Sequence, residues 1–233
     1  MNDRMPIIRL SNVSANVRLP NGDKLTTVRN ASVEFEKGTS TAIVGKSGSG
    51  KTSIASIIGL LNAQFSGTLE FNGESVDGWS DARRTKFRCA HIGFVFQNYS
   101  LIPHLRVIEN VALPLEYSRK YTKRKMHRRI SNALQSVGLS DRASAFPSSL
   151  SGGEQQRVAI ARALVTGPDI IICDEPTGAL DTETGNAVAD LLFDRVNQDH
   201  TTLILVTHDP QLASKCQRQI IMERGELHAQ NDH

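Results

Sequence analysis

The sequence predicts an α/β fold with a mainly parallel sheet, and three observations predict it. Short, continuous apolar runs rich in β-branched residues recur along the 233 residues: Thr41–Val44 (TAIV), Ile92–Val95 (IGFV), Ile170–Cys173 (IIIC) and Leu203–Val206 (LILV). Such runs suit strands buried on both faces of a parallel sheet. Helical periodicity lies between them, and strand alternating with helix implies crossover connections. The opening segment differs: it reads as strands around a turn at Pro20–Asp23 (PNGD), with no helix.

In chain order, about 1–40 form an N-terminal antiparallel β-subdomain. Thr41–Val44 is the first core strand. After a glycine loop, Ile54, Ile57, Ile58 and Leu61 repeat at i, i+3, i+4 and i+7, which is one face of a helix. From about Arg88 to Gly167 the pattern is mostly helical. Ile130, Ala133, Leu134 and Val137 form one stripe there, and Gly138 stops that helix. Val188, Leu191 and Leu192 mark a later helix between the last two core strands. The whole chain, 1–233, therefore reads as one domain. Residues 41–87 and 168–233 form its α/β core, and a helical subdomain at about 88–167 is inserted into it. No internal repeat or low-complexity segment is visible.

Composition narrows the function classes. Hydrophobic residues make up 39% and charged residues 22%, as in a globular rather than a disordered chain. A net charge of +3 is too small to argue for nucleic acid. Cys89, Cys173 and Cys216 are few and widely spaced, so neither a disulfide framework nor a metal-ligand cluster follows, and a reducing cytosolic setting is the expectation. Cys173 reads as a small buried residue. No apolar run approaches the length of a membrane span, and MNDRMPIIRL lacks the apolar core of a signal peptide. A soluble protein is expected, able to reach a membrane through a partner.

Chemistry enters with GKSGSGKT, which fits the phosphate-binding loop G-x-x-x-x-G-K-[ST] in its required setting between a strand and an apolar helix. Gly45, Lys46, Ser47, Gly48, Ser49 and Gly50 curl the backbone so that N–H groups face phosphates, and the helix dipole adds positive potential. Lys51 is expected at the β- and γ-phosphates and Thr52 at Mg²⁺, with Ser53 in the same first turn. The core is thus that of a P-loop NTPase. In IIICDEP, an apolar strand ends in Asp174 and Glu175. Asp174 can hold Mg²⁺ through its water shell and Glu175 can polarise an attacking water. Alone, such a pair can equally be a solvated strand end; the upstream loop favours nucleotide hydrolysis. A second anion-shaped helix start follows from LSGGEQQR: Ser151 can cap it, and the N–H groups of Gly152 and Gly153 can face a phosphate. It has neither a lysine nor a metal ligand of its own, so it reads as the lid of a site whose base is GKSGSGKT.

Taken together these residues resemble the ATP-binding cassette (ABC) ATPases. LSGGEQQR is similar to their signature motif, IIICDEP to their Walker B motif, TGALD (Thr177 to Asp181) to their D-loop, LVTHDP to the segment with the switch histidine, and FVFQNYSLIP to the Q-loop. The resemblance covers roughly residues 7–228. It implies ATP and Mg²⁺ as cofactors, Gln97 at Mg²⁺ beside Thr52 and Asp174, and His208 at the γ-phosphate. It also implies that Ser151, Gly152, Gly153 and Glu154 act on the other protomer of a homodimer, with Asp181 in the D-loop. One departure stands out. Where the family commonly stacks an aromatic ring on adenine, this sequence has VSANVRLP, and Val17 falls at that position. Valine offers apolar contact without π-stacking.

The segment IGFVFQNYSLIPHLRVIENVALPLEY looks like the branch of lipoprotein-releasing, macrolide-exporting and bacteriocin-exporting ATPases, with a cell-division ATPase as neighbour. That resemblance implies an exporter or mechanotransmission motor on the cytoplasmic face of the membrane, bound to two integral membrane permease subunits. An importer ATPase, and a cell-division-type ATPase acting without transport, are the alternatives. A short partner helix is expected in a groove beside Gln97. Tyr99, Leu101, Ile102, Pro103, Leu105, Val107 and Leu113 are candidates for that surface, about half of them core instead. The seven lysines and arginines of Ser118–Arg129 are either the solvated face of a helix or attracted to anionic headgroups. Nucleic acid is not an expected partner, since the run lacks interleaved aromatics beyond Tyr121.

Overall fold

The structure is a computed structural model describing residues 6–18, 20, 22–118 and 120–229. Asn21 of the expected PNGD turn, Arg119 of the basic run and the first five residues of MNDRMPIIRL lie outside the described residues. The chain forms β1 (Ile8–Arg18), β2 (Lys24–Phe35), β3 (Ser40–Val44), α1 (Lys51–Ile58), β4 (Ser66–Phe71) and β5 (Glu74–Ser75). Then follow α2 (Asp81–His91), β6 (Ile92–Phe96), α3 (Val107–Ser118), α4 (Lys123–Ser136), α5 (Gly152–Leu164), β7 (Ile170–Asp174) and α6 (Thr182–Gln198). It ends with β8 (Thr202–Thr207), α7 (Pro210–Ala213), β9 (Arg218–Glu223) and β10 (Glu226–Ala229). Two compact units result: one from the segments up to Arg84 and from Thr202 onward, the other from Thr85–Thr201.

The first unit holds two sheets. One is antiparallel, in the order β2-β1-β4-β5. Its β2 alternates cleanly, with Ala31, Val33 and Phe35 buried and Ser32 and Glu34 exposed, the pattern of a sheet wetted on one face. Asn12 and Asn30 adopt φ of 53° and 43° beside register shifts in the β1–β2 ladder, and asparagine tolerates that left-handed backbone at a bulge. β4 and β5 extend this sheet; their pattern did not stand out in the sequence. In the other sheet β3 runs parallel to both β8 and β9, and β10 closes the β9 edge antiparallel. Every residue of β8 and all but the last of β3 are buried, as their unbroken apolar runs require. The second unit contains the parallel pair β6–β7 and helices α3 to α6.

Helix ends follow the local chemistry. α4 starts at Thr122, whose hydroxyl accepts from the Lys125 N–H, and stops at Gly138, φ 69°, as the sequence predicts. α1 is shorter than its periodicity suggested. Leu60, at φ 56°, closes it: the Leu61 N–H donates to Ser56 O (2.8 Å) and the Leu60 N–H to Ile57 O (2.9 Å). Leu61 is therefore beyond the helix and 47% exposed, a correction to the expected stripe of which Ile54, Ile57 and Ile58 are buried. Among the candidates for a partner surface, Val107 is fully buried and belongs to the core, whereas Pro103 is exposed and Tyr99, Leu101, Ile102, Leu105 and Leu113 are half-buried. Cys173 is buried, as expected.

Candidate functional site

In the first unit the candidate site is built around the turn from β3 into α1. Gly48 and Gly50 have φ of 77° and 107°, which only glycine adopts without strain. Gly50 has a second reason. A Cβ there would overlap the carbonyl oxygen of Thr27 on β2, and one on Gly45 would overlap that of Met222 on β9. The Gly225 N–H, in the β9–β10 turn, donates to Ser49 O at 2.9 Å. The loop is thus held by strands that the sequence does not place beside it. Lys51 is buried, and its ammonium donates to Gly45 O (2.7 Å) and Lys46 O (3.1 Å), which draws the positive charge across the loop. Thr52 is exposed and Ser53 half-buried on the first turn of α1.

The donor set fits phosphate. α1 begins at Gly50 with no side-chain cap and no acidic residue in its first turn, so its first N–H groups are not answered by a carboxylate of the helix itself. The Ser49 hydroxyl is buried and has no hydrogen-bond partner among the described residues. Elsewhere in this unit, Val17 lies on β1 opposite Leu25 of β2; they are 45% and 50% exposed, an aliphatic pair facing outward. His208 is exposed just after β8. The Asp209 carboxylate accepts from the N–H groups of Gln211 (2.8 Å) and Leu212 (3.3 Å), and the Asp209 N–H donates to the Thr207 hydroxyl (3.0 Å). That Asx turn fixes the backbone on which His208 sits.

The second unit gathers the remaining candidates. Asp174 ends β7, with one carboxylate oxygen buried. Glu175 follows at φ 49°, a left-handed conformation that costs roughly 1–2 kcal/mol in a non-glycine residue. Two turns hold it: the Gly178 N–H donates to Glu175 O (3.1 Å) and the Leu180 N–H to Thr177 O (3.0 Å). Gln97, just beyond β6, lies over that turn, since a Cβ on Gly178 would come within 2.9 Å of its amide nitrogen. Asp181 caps α6 by accepting from the Thr184 N–H at 3.0 Å, and that backbone bond, with the Thr184 hydroxyl, lowers its pKa.

α5 starts with a reciprocal capping box. The Ser151 hydroxyl accepts from the Glu154 N–H (3.2 Å), and the Glu154 carboxylate accepts from the Ser151 N–H (2.9 Å). That backbone bond is the main reason the Glu154 pKa is lowered; Arg142, 3.2 Å away, contributes further. Because the Ser151 oxygen accepts from its own helix, its hydrogen remains able to point toward an incoming anion. The two glycines also have packing reasons. A Cβ on Gly152 would sit 2.8 Å from the Tyr99 hydroxyl, and one on Gly153 would overlap the Thr184 methyl on α6.

Two residues of α5 escaped the sequence reading. Gln156 is fully buried; its amide donates to Pro176 O (2.5 Å) and Phe96 O (3.5 Å). Arg162 donates to Ser100 O (2.6 Å) and Tyr99 O (2.8 Å). The signal for both was present: a glutamine on the apolar stripe after Gly153, and an arginine inside the apolar run VAIARAL.

The chain is similar to known proteins. A family model described as ABC transporter matches residues 28–178. The chain is 44% identical over 209 residues to the lipoprotein-releasing system ATP-binding protein LolD of Syntrophus aciditrophicus, covering 90% of this chain and 93% of that protein. It is 42% identical to the macrolide export ATP-binding/permease protein MacB of Pasteurella multocida, over 95% of this chain but 34% of that longer protein. A dimeric solved structure of the ATP-binding cassette MJ0796, in a post-hydrolysis state bound to ADP and Pi, superposes with a TM-score of 0.87. It is 34% identical and covers 97% of this chain and all of that one.

Proposed function

The chain belongs to the ABC transporter family as its ATP-hydrolysing motor subunit, and from that premise we propose that ATP-driven closure of a homodimer works two copies of a membrane permease. Among the described residues no helix is long and apolar enough to cross a membrane. The likeness to LolD and MacB supports release or export as the kind of work; the proposed place of that work is the cytoplasmic face of the membrane.

The assigned roles follow from the local chemistry. The backbone from Gly45 to Thr52, with Ser53, receives the phosphates, and Lys51 neutralises the β- and γ-groups. Val17, with Leu25 opposite it, offers adenine an aliphatic surface instead of a ring. Thr52, Asp174 and Gln97 would hold Mg²⁺, which neutralises phosphate charge. Glu175 takes a proton from the attacking water while His208 orients the γ-phosphate. Ser151, Gly152, Gly153 and Glu154 present the N-terminus of α5 to the nucleotide of the second protomer, whose D-loop carries its own Asp181. MJ0796 is dimeric in its structure bound to ADP and Pi, which supports a dimer as the working form.

One observation carries the assignment: α1 begins without a side-chain cap or acid, whereas α5 and α6 are capped by Ser151 with Glu154 and by Asp181. Of these helix starts, α1 is the one built with nothing of its own to fill the anion position. The test is a pair of variants read by nucleotide binding and phosphate release. Lys51→Ala is expected to lose ATP binding. Glu175→Gln is expected to bind ATP normally, hydrolyse it at least ~100-fold more slowly, and accumulate as an ATP-bound dimer on gel filtration. Hydrolysis by Glu175→Gln at the parental rate would remove Glu175 as the base.

A further inference from the structure

Tyr99 and Ser100 are consecutive non-glycine residues with φ of 60° and 48°, two residues beyond Gln97. Each is disfavoured on its own, and a left-handed pair in sequence is more so. Neither is glycine nor asparagine, so the loop's composition does not ask for this backbone. Bonds within the loop account for part of it, from the Tyr99 N–H to Phe96 O (3.2 Å), from the Ser100 N–H to Asn98 O (2.5 Å) and from the Ser100 hydroxyl to Asn98 Oδ1 (2.8 Å), and a further hold comes from outside.

That outside hold is on α5. The Arg162 guanidinium sends one arm to Tyr99 O (2.8 Å) and the other to Ser100 O (2.6 Å). In an extended chain successive carbonyls point to opposite sides, and one planar fork cannot reach both. A left-handed pair turns them to the same side, and the fork then fits. The partners of Arg162 are carbonyls and not a carboxylate, and burial lowers its pKa, so the contact serves geometry more than charge neutralisation. Gln156, on the same helix, donates to Phe96 O at the near end of the loop and to Pro176 O beside Glu175. The Tyr99 hydroxyl lies against Gly152 at the start of α5. One helix therefore grips the Gln97 loop at both ends, and the N-terminus of that helix is the signature motif.

We propose that Arg162 is a positioning residue: its fork holds Tyr99 and Ser100 in the left-handed conformation and thereby sets Gln97, tying the Gln97 loop to any movement of α5. The proposal rests on the reading of Gln97 as a group needed for hydrolysis. Arg162→Lys tests it, because lysine keeps the charge and the stem but loses the fork. In the full chain, amide hydrogen exchange at residues 98–101 should rise at least ~10-fold, with the melting temperature within about 3 °C of the parent. The kcat for ATP should fall about 10-fold with KM within about twofold, since the P-loop is not altered. Adding Ser100→Gly, which removes the strain at one of the two residues, should recover at least half of that lost kcat. A purely structural role for Arg162 gives no recovery by a loop glycine. Unchanged exchange at 98–101, an unchanged kcat, or a loss that Ser100→Gly leaves in place would each overturn the proposal. Gln97→Ala run alongside separates the premise: parental turnover by that chain discards the role of Gln97, while the exchange result still decides whether the fork holds the loop.

Discussion

At the scale of single residues, the candidate site is governed by what a backbone atom leaves no room for. Gly50 combines φ of 107° with a Cβ position that the Thr27 carbonyl already fills. Gly50→Ala therefore faces conformational strain and a backbone overlap that no side-chain rotation relieves, and the loop or β2 has to move. The expected result is a melting temperature lowered by several degrees together with loss of ATP affinity, read by thermal unfolding with and without nucleotide. Gly48→Ala, where a Cβ meets nothing within 4 Å, carries the strain alone and should cost less in both. The sequence made Gly45, Gly48 and Gly50 legible as a phosphate loop. It could not rank them, because Thr27 and Met222 are distant in the chain. Gln156 and Arg162 were hidden for a related reason: a polar side chain on an apolar stripe acquires a meaning only from the carbonyls it reaches.

At the scale of elements, the ends of three helices carry the assignment. α1 opens on an uncapped glycine, α5 on a capping box and α6 on Asp181. Ser151→Ala removes a cap worth about 1 kcal/mol and, with it, the hydroxyl that a nucleotide on the second protomer would meet. Two readouts should separate. Thermal stability should fall by about 3 °C. ATP hydrolysis should fall much further, while ATP binding to the monomer stays within about twofold of the parent. Equal loss of monomer binding would show that the α5 start serves a nucleotide on its own chain. α4 shows the opposite use of a helix start. Lys123, Arg124 and Lys125 occupy its first turn, where the macrodipole disfavours cations, and all three are exposed. These three side chains are open to solvent, which fits either expectation for the run. Its turn is stabilised by Thr122, and Arg129 lies over the Tyr121 ring while donating to Val165 O (3.2 Å).

At the scale of the whole molecule, the proposed permease partnership needs a docking surface, and no helix among the described residues is long and apolar enough to cross a membrane. Tyr99, Leu101, Ile102 and Leu105 remain half-buried around the Gln97 loop, and Val107 is core. Purified with its native membranes under mild detergent, the chain is expected to bring down a permease of few spans with a large extracytoplasmic domain; a many-span importer channel would overturn the export reading. The short strands β3, β6, β7 and β8, the stop at Gly138 and the order of the motifs were all legible, because periodicity, glycine and acid-at-strand-end chemistry are local properties. The extension of the antiparallel sheet by β4 and β5 was not, nor was the early end of α1 at Leu60, whose left-handed turn depends on where its neighbours pack. The sequence by itself determined that this protein is an ATP-hydrolysing cassette, since the pattern of a phosphate loop and that of a strand-end acid pair are each encoded within a few consecutive residues. Only the tertiary structure decided what holds those groups in place. Thr27 against Gly50, Arg162 across Tyr99 and Ser100, and Gln156 between Phe96 and Pro176 join residues far apart in the chain, and such contacts exist only once the backbone has folded.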